Sequence, residues 1–550
     1  MELEFEPPGP GPWVQDLAHV PAPVSAIVAE LFPPGMTRGF AESFARWGAL
    51  LDTLAIASVN GYVYQQPQPF DMPGPNGPPS PEKIGSEIEA RTRVAAEMLE
   101  SKGWTSVLAQ WDNEIKPASI ARNRALRDVD PGELDDKGLH QHLANCIENC
   151  REMSYQHHRF NLSSFLPPSG FALQASEWSG EPPTQVLAAF SGFSPSSSVL
   201  PPELVPAVDA LRADQDSQSI LAGAENAADR LNALRKRVPE VEEYVAAVGC
   251  RLLEGFDVTA PTVGEHPEAV LGRLTTALNV DPEEAKNRAD EYVASIRVRV
   301  PAEHQSEFDE ALEDARLVYR LRDERGLYSD VPAYGVLRLA MLEIAERSLR
   351  AGVISEIDDV FLLSSEELLA ALDGRPTVDH QELKTRAESH EAAIAQGAPR
   401  YLGPPMPKPP PVDQLPPPLA RVMAMIGFSL DGILGQLDDP AGDDEVVVGV
   451  AANPGVYEGD ARIIEDIDDL LDLQQGEVIV ARSTSEAFNS MLGLVGAIVT
   501  DHGSFASHAA IVARECGFPA VVGAVDATHR IRTGQRVRVD GGTGEVTILI

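Results

Sequence analysis

The sequence has few cysteines, a deficit of basic residues and no long apolar run, and each shortage excludes a class of protein. Four cysteines in 550 residues cannot form the dense disulfide framework of a small secreted domain, which indicates a reducing compartment. No apolar run reaches membrane-spanning length. The first residues, MELEFEPPGPGPW, lack the basic start and apolar core of a secretion signal. We therefore expect a cytoplasmic protein without membrane contact.

The charge balance excludes nucleic acid as a partner. The chain has 84 acidic and 44 basic residues, a formal net charge of −40 at pH 7. Such a field repels nucleic acid, and no basic patch with interleaved aromatic residues offsets it. High acidity also promotes solubility, so charge assigns no specific function.

The common nucleotide-binding glycine motifs are also absent. Neither a G-x-x-x-x-G-K-[ST] loop nor a Rossmann glycine pattern occurs. Helical patterns dominate the first 400 residues, whereas short β-branched runs dominate the last hundred. We expect a multidomain chain, with a mainly α-helical body over 1–400, a Pro-rich and acidic linker with one helix over 401–445, and an α/β domain over 446–550.

The N-terminal body has several local signals. Residues 5–13 predict an extended arm, and helices are expected at about 24–31 and 37–54, on either side of Pro33 and Pro34. The segment 59–64 is expected to turn outward, and an apolar loop is expected at 165–168 after a helix that ends near Phe160.

One stretch of the C-terminal part, residues 494–522, contains the main candidate for chemistry. A strand-like run over 494–500 leads into a small polar loop, and Ser507 is a good N-cap for a helix that begins at His508. Gly517 and Pro519 end this helix before the next strand, 520–522. A helix N-terminus stabilises anions, so an imidazole there is suited to form a phosphohistidine. A histidine that only packs or caps is the alternative.

The amino-acid sequence of this stretch also resembles a known family signature. The run SHAAIVARECGFPAVVG resembles the phosphohistidine signature of the swivelling (β/β/α) domain in phosphoenolpyruvate-utilising enzymes, which include dikinases and rifampicin phosphotransferases. The resemblance implies that His508 is the phosphorylated residue, with Gly503, Ser504, Ser507 and Arg514 supporting its loop. Ser504 replaces the usual second glycine, a change that narrows the accessible backbone conformations.

Two groups of residues in the body are further candidates for chemistry. His142, Cys146 and Cys150 share one helix face, but they lack a closed four-ligand set, so core packing is favoured over zinc and no metal site is predicted. His157 and His158 end the same helix; as neighbours they are expected to point to different sides, with one as a candidate general base. A surface or capping role is the alternative.

A second resemblance covers the helical body. The run LRDERGLYSD and the later DDVFLL and EEL motifs resemble the helical substrate domain of rifampicin phosphotransferase-type proteins, which would match the C-terminal two-thirds of such proteins. It implies that Arg322, and by proximity Arg325, engages the transferred phosphoryl group. Stabilisation of the helix dipole is the alternative for both arginines. Gly326 stands where those proteins have a lysine, so the acceptor cannot be carried over.

The two resemblances imply a carrier and an acceptor site without a phosphoryl source. From the helical patterns and the position of the last strand-like run, we expect neither a strand-rich ATP-grasp region before the carrier nor a barrel domain after it. We expect a separate ATP-grasp subunit, with ATP and Mg²⁺, to phosphorylate His508, as in phenylphosphate synthase and the system that phosphorylates 4-cresol. The expected reaction gives an aryl phosphate, AMP and phosphate. A degenerate, regulatory phosphocarrier and an antibiotic-phosphorylating homologue are the alternatives.

Overall fold

The computed structural model forms two compact units, each assembled from three segments. It describes every residue except 1, 18, 73–76, 254, 374, 376, 407–410, 435–445, 466–468, 471, 485–493, 504, 506 and 550, and the side chains of 431–434. The first unit contains Met1–Ser163, Cys250–Pro261 and Arg325–Ala424, and the second contains Ser164–Gly249, Thr262–Glu324 and Met425–Ile550. The division at 400 and 445 expected from the sequence stays a prediction.

The first unit contains a small antiparallel sheet. Its strands are β1 (Trp13–Gln15), β2 (Leu51–Val59), β3 (Tyr62–Pro69) and β4 (Tyr401–Leu402), in the order β2-β3-β1-β4. Asn60 and Gly61 join β2 to β3 with φ angles of 51° and 82°, the two positive values that a type I′ hairpin turn requires. The predicted outward turn and the predicted helix through residue 54 are therefore wrong.

The helices of the first unit pack closely. They are Ala26–Trp47, Pro81–Glu100, Gly103–Gln110, Lys116–Arg127, Asp136–His158, Asp330–Arg350, Ser365–Leu372 and His380–Gln396, with a π-helical turn at Trp111–Ile115 and 3₁₀ turns at Pro131–Glu133 and Ile357–Leu362. Helix Ala26–Trp47 runs through Pro33 and Pro34, so the predicted break there is wrong. A Cβ on Gly39 would lie 2.5 Å from the Cβ of His158, so glycine permits the close approach to helix Asp136–His158. Burial of the first helix's apolar face against this neighbour outweighs the proline penalty.

The second unit begins with a helical part. Its helices are Pro183–Val186, Val205–Ala213, Gln215–Leu221, Ala227–Arg237, Pro239–Val248, Pro267–Ala277, Glu284–Arg297 and Gln305–Tyr319, with 3₁₀ turns at Leu187–Phe190, Pro195–Ser197, Val263–Glu265 and Ala302–His304. Three further helices, Asn161–Ser179, Leu321–Leu327 and Pro417–Leu434, include a point at which the chain passes between units. The first of these contains Pro167 and Pro168, so the predicted apolar loop is wrong.

The rest of the second unit is a mixed sheet that includes residues 494–522. Its strands are β5 (Val446–Val448), β6 (Val450–Asn453), β7 (Val456–Ile464), β8 (Glu477–Ala481), β9 (Val495–Thr500), β10 (Ala520–Val522), β11 (Arg536–Asp540) and β12 (Glu545–Ile548), and the short helices are His508–Cys516 and Ala527–Arg530. The order is β5-β12-β11-β7-β8-β9-β10-β6. The four central strands β7, β8, β9 and β10 pair in parallel with one another, whereas β11 pairs antiparallel with β7 and β6 pairs antiparallel with β10.

The predicted fold class is confirmed: a mainly helical N-terminal region precedes a mixed α/β sheet region. The β-branched runs predict seven strands, at 446–450, 459–464, 476–481, 496–500, 520–522, 537–540 and 546–550. All seven are present, and β6 is an additional one. Among the described helices, none is both long and apolar enough to cross a membrane. The acidic part of the predicted linker, 438–445, lies outside the described residues.

Candidate functional site

His508 begins the helix that connects β9 to β10. Ser507 precedes it with an extended backbone, φ −72° and ψ 164°, as expected of an N-cap. Gly503 in the preceding loop has φ +119°, and a Cβ there would lie 2.9 Å from Ser507 Oγ. Only glycine suits both the conformation and the space. Ser504, the departure from the family signature, lies outside the described residues.

The two ring nitrogens of His508 have different surroundings. Nδ1 lies 3.0 Å from the Oγ1 of Thr484, in the loop after β8. Nε2 is buried and has no hydrogen-bond partner among the described residues. One nitrogen is thus anchored while the other is left for chemistry. Sequence reasoning missed Thr484, because nothing in a serine- and threonine-containing loop indicates a contact 24 residues away.

The electrostatic environment keeps His508 neutral. Burial lowers the pKa of His508 to about 4, and the nearby Arg322 and Arg273 act in the same direction. Asp323 opposes them and raises the pKa of His508. The imidazole is therefore uncharged at pH 7, and only this form has the lone pair that a nucleophile needs.

Arg322, predicted to engage the phosphoryl group, lies in the same unit as His508. Its guanidinium lies 5.3 Å from the centre of the Phe165 ring. Across the described part of the chain it makes no hydrogen bond or ion pair. Burial lowers the pKa of Arg322, although not enough to discharge a guanidinium. Its donors therefore remain available to an anion.

Asp323 is the acidic counterpart of this arginine and was not predicted. The hydroxyls of Ser194 and Ser197 both donate to its Oδ2, the latter at 2.7 Å. Arg273 contributes a second cation near His508 and donates to the carbonyl of Ser198 at 3.1 Å. The surroundings of His508 therefore contain two arginines and one fixed carboxylate.

The helix that carries His508 is tied to the helical part of its unit. Arg514 donates to the Phe505 carbonyl at 2.6 Å and also bonds the Tyr319 side chain. Its support of a phosphohistidine loop stays a prediction. Glu515 accepts a bond from the Gly192 N–H at 2.9 Å. Burial raises the pKa of Glu515 to about 8.

The other predicted candidates lie in the first unit. The rings of His157 and His158 stack 4.5 Å apart, so the prediction that they point to different sides is wrong. At the end of a helix the two side chains can lean together against one cluster of partners. His157 Nδ1 lies 2.8 Å from Asp330 Oδ2, and Arg325 donates to the His157 carbonyl at 3.2 Å. Asp330 was not predicted.

Burial governs the ionisation of this second group. It lowers the pKa of His157 and of His158 well below the usual value, with Arg325 adding to the effect on His157 and the neighbouring histidine adding to that on His158. Burial also raises the pKa of Asp330 to about 8. Both imidazoles are therefore neutral at pH 7.

The zinc alternative on helix Asp136–His158 is not supported. His142 Nε2 lies 3.6 Å from Cys146 Sγ, and burial raises the pKa of both Cys146 and Cys150. Among the described residues, the cluster of His, Cys, Asp and Glu close enough to hold an ion consists of His19, His157 and His158.

Comparison with known protein families assigns two regions of the second unit. Residues 473–544 match the mobile domain of PEP-utilising enzymes. Residues 169–323 match the fourth domain of rifampicin phosphotransferase. The first match contains His508 and Thr484, and the second contains Arg322, Asp323 and Arg273.

Several curated relatives are similar to long parts of the chain. The rifampicin phosphotransferase of Streptomyces sviceus is 29% identical over 392 residues, 68% of this chain and 42% of the relative. The chondramide synthase of Chondromyces crocatus is 28% identical over 571 residues, 98% of this chain and 14% of the relative. An uncharacterised protein of Mycobacterium bovis, Mb2073c, is 32% identical over 348 residues, 60% of this chain and 36% of the relative.

The chain therefore spans less than half the length of each of these relatives. The resemblance to phenylphosphate synthase has no counterpart among the matches reported above. What the comparisons show is a chain that carries a PEP-utilising enzyme mobile domain together with a rifampicin phosphotransferase-like domain.

Proposed function

We propose that this chain is a phosphotransferase in which Nε2 of His508 carries a phosphoryl group to a hydroxyl acceptor. The observation that carries the proposal is the unpartnered, buried Nε2 of a neutral histidine at a helix N-terminus. A buried nitrogen without a partner is rare in proteins and calls for an explanation. A nucleophile that waits for its substrate provides one.

The contact to Thr484 supports attack through Nε2. When Nδ1–H donates to the threonine hydroxyl, 3.0 Å away, the lone pair of the ring lies on Nε2. The bond then fixes both the tautomer and the orientation of the ring, as the orienting group does for other histidine catalysts.

Arg322 and Arg273 supply the charge that a moving phosphoryl group needs. Phosphoryl transfer relies on positioning and electrostatic stabilisation more than on covalent chemistry from the protein. Arg322 has no competing ion pair among the described residues, so its donors can meet phosphoryl oxygens without first breaking another contact.

The donor and the acceptor follow from the resemblances. A separate ATP-grasp subunit, which binds ATP and Mg²⁺, would place the β-phosphorus against Nε2. Attack by Nε2 would break the α–β bond and release AMP, and one water molecule would then cleave the β–γ bond and release phosphate. In the second transfer an acceptor oxygen attacks phosphorus, the P–N bond breaks, and the hydroxyl proton passes to a base. A phenolic acceptor such as phenol or 4-cresol needs little assistance, because the pKa of a phenol is roughly 10. His157 or His158 stays the predicted base.

Labelling at His508 tests the carrier role. The full chain is incubated with an ATP-grasp protein from its gene neighbourhood, Mg²⁺ and ATP labelled at the β-phosphorus. A parallel reaction uses phosphoramidate, a chemical donor that needs no partner. We expect an acid-labile, base-stable label, assigned to Nε2 by ³¹P NMR, that is lost in His508→Gln.

A matched pair of threonine variants tests the orienting contact. Thr484→Val should slow labelling by phosphoramidate, whereas Thr547→Val, on β12 of the same sheet, should not. Equal labelling of wild type and His508→Gln would rule out the carrier role and favour a degenerate, regulatory protein. If His508 is labelled, a screen of phenols, sugars and macrolactams against the labelled chain identifies the acceptor. The macrolactams test the alternative of an antibiotic acceptor.

A further inference from the structure

Three histidines of the first unit converge on one point. His157 and His158 come from the end of helix Asp136–His158, and His19 comes from the segment between β1 and helix Ala26–Trp47. One ring nitrogen of each lies within 4.8 Å of the other two. The ring centres of His19 and His158 are 5.4 Å apart, and those of His19 and His157 are 6.1 Å apart.

The Nδ1 atom of every ring is already held by an oxygen. His157 Nδ1 lies 2.8 Å from Asp330 Oδ2, His158 Nδ1 lies 2.8 Å from the Ser154 carbonyl, and His19 Nδ1 lies 2.9 Å from Asp16 Oδ2. A carbonyl oxygen only accepts, so Nδ1 of His158 carries the proton and Nε2 carries the lone pair. Histidines that ligate metals are oriented by such oxygen partners on their other nitrogen.

The Nε2 atom of His158 lacks any partner among the described residues. It is buried, on a side chain that is 0% exposed. The Nε2 atoms of His19 and His157 likewise have no hydrogen bond within the described ranges. Native proteins seldom leave a buried acceptor unsatisfied. The buried, unpaired nitrogen of His158, close to one ring nitrogen of each of the other two histidines, indicates a ligand that binds imidazole nitrogens.

The walls of the cluster are apolar and closely fitted. The ring of Phe40 lies 5.3 Å from His158, and that of Phe256 lies 5.7 Å from His157. The His19 side chain is 17% exposed, which gives the cluster one route to solvent. An apolar shell of this kind around imidazole ligands is typical of metal centres, where it limits access by water.

We propose that His19, His157 and His158 form a binding site for one divalent transition-metal ion of the zinc type, through three Nε2 atoms. Imidazole nitrogens suit zinc and its neighbours, and three histidines leave one tetrahedral position open. Zn–N bonds of about 2.0 Å place tetrahedral ligand atoms about 3.3 Å apart. The ring nitrogens that lie within 4.8 Å of one another therefore have to approach by at most about 1.5 Å. Because the His157 and His158 rings are stacked at an interplanar angle of 17°, at least one of them has to reorient when the ion binds.

The two carboxylates complete the site. Asp16 and Asp330 have side chains that are 0% exposed and contact His19 and His157, so acidic oxygens lie directly behind two of the proposed ligands. This inference is independent of the carrier role of His508, and it makes His157 and His158 metal ligands in place of the predicted general base.

Direct metal binding tests the site. The full chain is stripped with a chelator and titrated with Zn²⁺ by calorimetry and with Co²⁺ in the visible range. We expect one equivalent per chain and the visible bands of tetrahedral cobalt. His158→Gln and His157→Gln should each weaken binding at least about 100-fold, and Asp16→Asn, which removes only an orienting oxygen, about 10- to 100-fold.

The controls separate this site from other histidines. His140→Gln, on the same helix but paired with Asp373 at the surface, should bind like wild type. Circular dichroism shows whether each variant folds, and Asp16→Asn keeps the test open if the buried variants do not. Absence of stoichiometric binding overturns the proposal, and so does a cobalt–thiolate charge-transfer band, which would point to Cys146 and Cys150.

Discussion

At the scale of the residue, two arginines three positions apart have different uses. Arg325 donates to the His157 carbonyl in the first unit, whereas Arg322 in the second unit keeps its donors unpaired among the described residues. The sequence treats them alike, because both lie near the end of one helix. Their surroundings depend on side chains that are distant in the chain and therefore invisible to spacing.

Replacement of Arg322 should impair phosphoryl transfer. We expect Arg322→Gln to lower the rate of His508 labelling by on the order of 10²-fold, because one charge-stabilising donor is lost. Arg299→Gln provides the control, since Arg299 lies in the same unit and pairs with Glu181 at the surface. Rates measured from initial label incorporation would contradict the assignment if the two variants were equally active.

Glu515 should make stability depend on pH. Its pKa is raised from 4.5 to about 8, first by burial and then by Asp323. The fold therefore favours the protonated carboxyl. The resulting stabilisation is complete below about pH 4.5 and is lost as pH rises through about 8, an effect on the order of 2–4 kcal/mol.

Thermal unfolding between about pH 5 and 9 measures this dependence. Glu515→Gln, which cannot ionise, should flatten the alkaline decline of the unfolding temperature. Glu545→Gln, at an exposed position on β12, should retain it. An unchanged alkaline decline in Glu515→Gln would show that other groups cause it.

At the scale of the element, local sequence predicted helices and strands correctly where N-cap residues and β-branched runs agree with the tertiary packing. Ser507 before His508 and the β-branched runs of the last hundred residues predicted the helix start and seven strands correctly. Prolines misled at two places, because helices Ala26–Trp47 and Asn161–Ser179 continue through adjacent proline pairs. Burial of apolar side chains keeps these segments helical, and rules that consider only neighbouring residues do not include this burial. A turn was expected at 59–64, but the hairpin that Asn60-Gly61 indicates was missed.

A pair of glycine variants tests the hairpin. Gly61 has φ +82°, and a Cβ there would lie 2.9 Å from Pro23 Cβ. Gly61→Ala should therefore cost about 1–2 kcal/mol. Gly85 lies inside helix Pro81–Glu100 with no atom within 4 Å of an added Cβ, so Gly85→Ala should stabilise by about 0.5–1 kcal/mol. Shifts of the urea midpoint in the same direction would refute this account.

At the scale of the whole molecule, self-repulsion should limit stability. A net charge of −40 disfavours a compact state, and salt screens it over a Debye length of about 10 Å at 0.1 M. Raising NaCl from about 0.02 to about 0.3 M should increase the unfolding temperature by a few degrees at pH 7. The increase should shrink near pH 5, close to the isoelectric point of 4.6. Scanning fluorimetry at both pH values measures it.

The sequence predicts residues of the candidate site where they belong to one stretch of the chain. His508, Gly503, Ser507 and Arg514 come from a single stretch, and the structure gathers them around one loop. Thr484, Asp323 and Arg273 come from separate segments, so only tertiary structure brings them near His508. His19 reaches the histidine cluster of the first unit from more than a hundred residues away, which no pattern in the sequence indicates.

The fixed carboxylate of Asp323 has a consequence for the lifetime of the phosphorylated protein. Arg322 and Arg273 bring two positive charges near His508, and Asp323 offsets one of them. A phosphoryl group on His508 adds about two negative charges, so the site then has a net negative charge. Because Ser194 and Ser197 hold that carboxylate, it cannot swing away, and the repulsion raises the energy of the loaded carrier. A phosphoryl carrier must pass the phosphoryl group to the acceptor as readily as it receives that group from the donor. Asp323→Asn should therefore lengthen the half-life of the label on His508, and a shortened half-life would show that Asp323 protects the adduct.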